Sequence, residues 1–322
     1  MPFKCYRQKR FRAATLEVIE KANHIIAEYQ AQGFSLTLRQ CYYQFVARDV
    51  FPESWVDAGY NARQGLPPDT KNTMKNYKKL GDIVSDGRLA GLIDWDAIED
   101  RTRELRSSAH WGSPAQIVKA CAEQFRYNLW ANQDYYVECW IEKDSLVGVI
   151  EGVCSELDVP YFSCRGYTSQ SAMWEAAQRL IEREDSGKET IIFHLGDHDP
   201  SGIDMTRDIS DRLEMFHSTV SVQRIALSMD QVDEHNPPPN PAKTTDARYE
   251  SYRQEYGDDS WELDALEPKV LTALIRGEVE RVRDPERWHA QIERQEEARN
   301  ELKLVAKKWH TVVRAVSEPR DE

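Results

Sequence analysis

Apolar residues recur at steps of three and four through the first third of the chain. This spacing predicts an amphipathic helix over 11–32 and a second helix that begins at Thr37. A third helix is predicted over 69–85 with Asp69 as its cap, and residues 87–93 follow as a short turn or strand. Three helices and a small hairpin-like element are the plan of a winged helix, whose third helix can lie in a groove.

The pattern changes in the middle of the chain. Residues 111–133 form a connector, and its helix over 117–130 is capped by Ser113. Short apolar runs typical of buried strands then alternate with helical stretches. The predicted strands are 135–141, 160–164, 190–195 and 220–227, and the helices between them are 145–157, 169–184 and 202–216. This alternation predicts a parallel sheet with helices on both faces.

The last part of the chain contains a proline run and helical stretches. Residues 236–241 predict a stiff loop, which is either a surface connector or part of an active-site mouth. A helical stretch over 263–275 and a long charged helix over 285–316 follow. We therefore expect an α/β protein in three parts: a winged-helix domain (1–110), a connector helix (111–133), and a sheet domain with a C-terminal helical extension (134–322).

Composition narrows the class of protein. The 322 residues are 40% hydrophobic and 30% charged, and 9 Trp, 14 Tyr and 9 Phe are available for a core. No stretch approaches the roughly 20 apolar residues of a spanning helix, and no apolar run follows the basic N-terminus as in a signal peptide. We expect a cytoplasmic protein without a membrane partner, whose six scattered cysteines stay reduced.

The negative charge is unevenly distributed. The chain carries a net charge of -13, which by itself disfavours a nucleic-acid partner. Residues 1–110, however, hold 17 Lys and Arg against 14 Asp and Glu, a net charge of +3 that leaves -16 for residues 111–322. Any surface that faces DNA is therefore expected mainly in the N-terminal part.

Three acidic residues follow predicted strands. Asp197 and Asp199 lie in a Gly-Asp-His-Asp-Pro-Ser-Gly turn directly after one strand, and Glu142 ends another. Ligands of parallel sheets bind at the carboxyl ends of strands, and carboxylates are the ligands that Mg²⁺ prefers. Glu138 is a weaker candidate, and His198 is expected to point to the other side. Ordinary turn and cap residues remain the alternative for the two aspartates.

These motifs resemble a Toprim domain. The resemblance covers about residues 134–230 and consists of Glu-Lys-Asp at 142–144, Gly-Tyr-Thr-Ser at 166–169 and the acidic turn at 196–202. The sequences of these motifs are most similar to those of the A subunit of topoisomerase VI and its meiotic double-strand-break relatives. The resemblance implies that Glu142, Asp197 and Asp199 bind Mg²⁺.

The same family carries a catalytic tyrosine in its N-terminal winged helix, in a motif that ends in two aromatic residues. This sequence has Arg39-Gln-Cys-Tyr-Tyr, so the resemblance implies Tyr43 as the nucleophile rather than Tyr42. Arg39 and Tyr43 are four residues apart and share a helix face, where a guanidinium favours a phenolate or holds a phosphate. Gln40 departs from the acidic residue often found there, and core packing is the alternative for an aromatic pair.

The combined interpretation is a Mg²⁺-dependent transesterase that cleaves double-stranded DNA as a homodimer. Its catalytic residues would be Tyr43, Arg39 and Glu142, and its product a 5′-phosphotyrosyl link. The resemblance implies that each tyrosine works with the acids of the opposite protomer. The short length and missing fused ATPase resemble the compact versions of this A subunit found in bacteria and mobile elements. An ATPase B-type subunit would be a separate protein. Two alternatives stay open: a Toprim nuclease that activates water, and a non-catalytic DNA-binding protein.

Six basic residues are candidates for DNA contact. Four belong to the third predicted helix, where a solvated helix face is the alternative, and two lie beside the acids, where salt bridges are the alternative. They are Lys71, Lys75, Lys78, Lys79, Lys143 and Arg165.

Overall fold

The computed structural model describes residues 3–98 and 110–317. The N-terminal part consists of four helices around one apolar core. A capping box of Thr37 and Gln40 fixes the start of the second helix at the predicted residue. The helices are α1 (Ala13–Ala31), α2 (Leu38–Ala47), α3 (Ala58–Arg63) and α4 (Met74–Leu89).

Two expectations for this part need correction. The helix predicted from Asp69 begins at Met74, because Thr73 caps it and the Asn76 side chain donates to the Lys71 carbonyl (2.8 Å), which holds the preceding segment as a loop. Residues 87–89 stay in α4, and a turn follows them. Within residues 3–98 no hairpin forms, and Ile98 makes only an isolated parallel bridge to Leu36. A winged helix therefore remains a prediction.

The predicted parallel sheet is confirmed. Its four strands are β1 (Tyr135–Ile141), β2 (Tyr161–Ser163), β3 (Glu189–Leu195) and β4 (Ser221–Ala226), parallel throughout and in the order β2-β1-β3-β4. The crossover helices are α6 (Val147–Glu156), α7 (Gln170–Asp185) and α8 (Pro200–Met215), numbered after α5 (Pro114–Gln124). One face of the sheet packs on α6, and the other packs on α7 and α8. A core on each face leaves the strand ends as the accessible edges.

The connector helix is shorter than the predicted 117–130. Helix α5 ends at Gln124 because the next backbone groups bond to a distant helix, α12 (Pro285–Lys307). The Phe125 carbonyl accepts from Arg299 (2.8 Å), and the Tyr127 N–H donates to Gln295 (2.9 Å). Tertiary hydrogen bonds thus replace the helical ones.

The C-terminal part forms further helices and one short pair of antiparallel strands. It contains α9 (Met229–His235), β5 (Asn240–Pro241), α10 (Tyr249–Tyr256), β6 (Asp259–Ser260), α11 (Pro268–Val282), α12 and α13 (Trp309–Ser317), and β5 and β6 pair antiparallel. The stretch predicted over 263–275 is split into a 3₁₀ turn at 263–265 and α11. The predicted long helix is broken at Lys308. The proline run is a loop apart from Asn240 and Pro241.

Three further findings concern the described residues. Helix α2 packs against the 3₁₀ turn at 263–265, which joins the N-terminal helices to the sheet domain. None of the helices in residues 3–98 and 110–317 combines the length and apolar character that crossing a bilayer requires. All six cysteines are free thiols, four of them buried, while Cys5 and Cys121 are exposed.

Candidate active site at the carboxyl edge of the sheet

Glu142 and Asp197 meet because their strands are neighbours. Ile141 and Leu195 are paired at the ends of β1 and β3, and the Glu142 N–H donates to the Leu195 carbonyl (2.8 Å). The Asp197 N–H in turn donates to Oε2 of Glu142 (2.9 Å). The structure thus brings together Glu142, Asp197 and Asp199, and we call these three residues the acidic edge.

The turn of the acidic edge has little room for change. Asp199 caps α8 by accepting from the Gly202 N–H (2.6 Å). A Cβ on Gly202 would lie only 2.2 Å from the Asp197 carbonyl oxygen. Arg224 of β4 braces the turn by donating to the carbonyls of Gly196 and Gly202, both at 2.9 Å. Sequence reasoning missed this arginine, since nothing local marks it.

Burial changes the acid strength of two of these carboxyls. Burial, aided by nearby Glu142, raises the pKa of Asp197 to about 7, although the Lys143 ammonium (2.9 Å from Oδ2) opposes the shift. Burial likewise raises the pKa of Glu142. The Leu263 N–H also donates to Oδ1 of Asp197 (2.7 Å). Positive charge placed here would favour the ionised forms.

The carboxylates of the acidic edge are of the ligand type that Mg²⁺ prefers. In the described ranges, no three carboxylate, imidazole or thiol groups form a ready-made metal site. Asp197 is engaged by Lys143 and Leu263. Glu142 and Asp199 each accept a backbone N–H on one carboxylate oxygen, from Asp197 and from Gly202, and each has a second oxygen, with Lys243 3.9 Å from that of Asp199. Mg²⁺ is commonly held by one or two carboxylates, waters and substrate phosphates. Glu142 and Asp199 would therefore hold the ion directly.

Tyr43 lies in a cavity between the N-terminal helices and strand β5. The cavity has a volume of about 220 Å³, and its lining includes Arg39, Tyr42, Tyr77, Asn72, Asn240 and Glu262. The Arg39 guanidinium carbon lies 5.7 Å from the centroid of the Tyr43 ring. Burial and Glu262 raise the pKa of Tyr43 to about 12, while Arg39 and Lys143 oppose this shift.

Tyr42 differs from Tyr43 in what its hydroxyl does. The Tyr42 hydroxyl donates to Asn72 (3.0 Å) and to the Thr73 carbonyl (3.1 Å), so it is used in holding the start of α4. Within the described residues, the Tyr43 hydroxyl has no hydrogen-bond partner. Of the two phenols, Tyr43 is therefore the one left for a ligand.

A set of ion pairs connects this cavity with the acidic edge. Arg39 pairs with Glu262 (2.6 Å) and with Asp264 (3.1 Å). Lys143 pairs with the same two acids and with Asp197. We call these five side chains the charge network: Arg39, Lys143, Asp197, Glu262 and Asp264. Sequence reasoning missed Glu262 and Asp264. Their only signal was the alternation of acidic and apolar residues in Trp-Glu-Leu-Asp-Ala-Leu at 261–266.

The other predicted DNA contacts are unevenly available. Lys71 lies ahead of α4 and pairs with Asp49 and Glu53, with its side chain only 10% exposed, so it is not on the outward face of a helix as predicted. Lys75 pairs with Asp57, Lys79 lies over the Trp55 ring (4.1 Å), and Arg165 pairs with Asp144. Lys78 is exposed and makes no ion pair with any residue in 3–98 or 110–317. Their contact with DNA stays a prediction.

Glu138 and His198 serve the fold. Glu138 is buried on the other face of the sheet, where Arg179 donates to both of its carboxylate oxygens (2.7 and 3.0 Å). His198 exchanges backbone hydrogen bonds with Trp261, and its ring contacts Tyr252 and Tyr256. Neither side chain joins the acidic edge.

Comparison with known proteins adds no relative. No protein-family model, no curated protein and no solved structure matches this chain.

Proposed function

We propose that this chain cleaves double-stranded DNA by Mg²⁺-dependent tyrosine transesterification, with Tyr43 as the nucleophile. The observation that carries the proposal is the charge network, which links the cavity of Tyr43 to the acidic edge within one chain. A phosphodiester near Tyr43 would meet Arg39 and Lys143, which are paired with Asp197, Glu262 and Asp264, and a carboxylate pair suited to Mg²⁺.

The proposed step is a substitution at phosphorus. The Tyr43 oxygen forms a bond to phosphorus as the bond to the 3′ oxygen breaks, which leaves a 5′-phosphotyrosyl link and a 3′-hydroxyl. The phenol loses its proton to water, and the 3′ oxygen gains one. Arg39 favours the phenolate of Tyr43, while its Nη2 and Nε are engaged by Glu262 and Asp264. Glu142 and Asp199 would hold Mg²⁺, which would supply positive charge for the developing oxyanion.

The test is covalent capture of DNA. End-labelled supercoiled DNA is incubated with protein and Mg²⁺, denatured, and assayed for label retained on protein. We expect adducts from the natural chain and from Tyr77→Phe, a matched phenol in the same cavity, and none from Tyr43→Phe, Asp199→Asn or samples with EDTA. Adducts that survive in Tyr43→Phe would refute the role of this tyrosine.

A Toprim nuclease is the second candidate. It is favoured by the burial of Tyr43, which is only 5% exposed and whose pKa is raised to about 12, so its phenolate is costly to form. In that case the acidic edge would hold Mg²⁺ for attack by water. The same assay then gives free ends that persist in Tyr43→Phe and disappear in Asp199→Asn. Absence of any Mg²⁺-dependent scission, with DNA binding intact, would leave a non-catalytic DNA-binding protein.

The proposed assembly is a homodimer. Each Tyr43 works either with the acidic edge of its own chain, which the charge network favours, or with that of the opposite protomer, which the resemblance implies. An ATPase B-type subunit, as a separate chain, belongs to the same proposal. Both rest on the resemblance of the Glu142, 166–169 and 196–202 motifs to the topoisomerase VI A subunit.

A further inference from the structure

The start of the described chain is strongly basic. Residues 3–12, which we call the basic arm, contain five Lys and Arg and no acidic residue, in a protein of net charge -13. The cations are Lys4, Arg7, Lys9, Arg10 and Arg12. They are separate from the six basic residues considered above.

The main chain attaches the basic arm to the end of α4. The N–H groups of Tyr6 and Arg7 both donate to the Leu89 carbonyl (2.9 Å each). Gly91 permits a close approach, since a Cβ there would lie 2.8 Å from the Cys5 nitrogen. The Trp95 indole donates to the Lys4 carbonyl (3.4 Å). Backbone hydrogen bonds therefore position the arm, and of its five cations Lys9 alone adds an ion pair with a described residue, Asp86.

Most of those side chains remain available to a ligand. Lys9 pairs with Asp86, whereas the other four cations form no ion pair with the part of the chain that the structure describes. Phe3 and Tyr6 are 60% and 62% exposed, and the Lys4 ammonium lies 5.2 Å from the Tyr6 ring centroid. Free cations interleaved with exposed aromatic rings are typical of nucleic-acid surfaces.

Helix α4 aligns the basic arm with the candidate active site. At about 100° per residue, one face of α4 carries Lys75, Lys78 and Lys79 and, further along, Asp82 and Asp86. Lys9 contacts Asp86 at the end of that face. The first turn of α4 lines the Tyr43 cavity. From there to Leu89 the helix rises roughly 20 Å, or about six base pairs of duplex at ~3.4 Å each.

We propose that the basic arm binds the phosphate backbone of duplex DNA about six base pairs from the Tyr43 cavity. The inference rests on the proposed function in taking DNA as the partner. The charge on the arm would offset the repulsion between DNA and a chain that is acidic overall.

The test measures binding without cleavage. Duplex DNA is titrated in a Tyr43→Phe background, with and without Arg7→Gln, Arg10→Gln and Arg12→Gln, at several salt concentrations. Each lost phosphate contact lowers the slope of log K against log salt by about 0.9, so we expect a decrease of about 2–3. The control replaces three exposed lysines on α5 and α12, Lys119, Lys303 and Lys307, and should leave the slope unchanged.

The outcomes separate this inference from the proposed function. An unchanged slope in the arm variant, or an equal decrease in the control, would overturn the arm's role. Arg10→Gln with Arg12→Gln provides a second variant that leaves the segment attached to Leu89 unchanged in sequence and should lower the slope by about 1.8. A decreased slope in the arm variant, together with no covalent adduct from the natural chain in the capture assay, would support the arm and refute the transesterase.

Discussion

His194 is a fully buried histidine beside the acidic edge. Its Nδ1 lies 2.8 Å from the Thr206 hydroxyl, and burial, together with Arg224, lowers its pKa from 6.5 to about 3. Above pH 6.5 both folded and unfolded forms are neutral. Below it, the unfolded chain binds a proton that the folded chain excludes, so stability falls as the pH decreases towards 3.

We therefore predict that His194→Gln flattens the acid limb of the stability profile. Below pH 6.5, the free energy of unfolding of the natural chain should decrease by up to about 1.4 kcal/mol per pH unit more than that of the variant. Denaturant unfolding at a series of pH values measures this difference. His289→Gln, on the exposed surface of α12, should retain the natural slope. Parallel profiles for the natural chain and His194→Gln would show that this histidine is not the source of the stability loss at low pH.

Glycine at 202 is required by the approach of the Asp197 carbonyl. We expect Gly202→Ala to reduce the free energy of unfolding by about 1–3 kcal/mol, because the added methyl group forces the acidic turn to move. Gly277 is the matched control: it lies exposed inside α11 with no atom within 4 Å of an added Cβ. Gly277→Ala should stabilise by about 0.4–1 kcal/mol. Equal denaturation midpoints for the two alanine variants would contradict this account.

At the scale of single residues, the site was only partly predictable. Glu142 and Asp197 could be found because each directly follows a strand, and neighbouring strands bring their ends together. Glu262 and Asp264 could not, since they reach Lys143 and Ser145 from 119 residues away and no local pattern records that contact. Their placement depends on how α2 packs against the 263–265 turn.

At the scale of elements, the charge network acts as the join between α2 and the sheet. Asp264 is completely buried, and Lys143 is only 16% exposed. We predict that Lys143→Met costs about 3–5 kcal/mol of stability, because it leaves buried carboxylates without their partner.

Denaturant unfolding provides the measurement, and an exposed ion pair provides the control. Arg276 and Glu156 pair on the surface with side chains 38% and 61% exposed, so Arg276→Met should cost no more than about 1 kcal/mol. Similar losses of stability for the two substitutions would mean that the buried ion pairs of the charge network contribute no more than an exposed pair.

Helix boundaries show what local sequence can and cannot fix. The start of α2 was predictable because Thr37 and Gln40 form a capping box within four residues. The start of α4 was not, since Asp69 and Thr73 are both good caps and contacts of Asn76 with Lys71 and Trp55 decide between them. The sheet was the most predictable element. A chain in which apolar strands alternate with amphipathic helices can bury its apolar surface in few folds other than a parallel sheet covered by helices.

At the scale of the whole molecule, the proposed dimer makes a complementation experiment possible. Tyr43→Phe and Asp199→Asn should each be inactive alone. If the tyrosine of one protomer works with the acids of the other, mixed dimers contain one complete site, and we predict single-strand nicks when the two variants are combined. Gel analysis of supercoiled plasmid measures nicking. An inactive mixture that contains mixed dimers would place both groups in the same protomer.

The distribution of thiols has a practical consequence for such experiments. Cys5 and Cys121 are exposed, while the other four sulfurs lie in the protein interior. Alkylating reagents should therefore modify two sites in native protein, and intermolecular crosslinks in air should form through these two. Since Cys5 lies among the cations of the basic arm, a dye attached there in a Cys121→Ser background would report DNA arrival by its fluorescence.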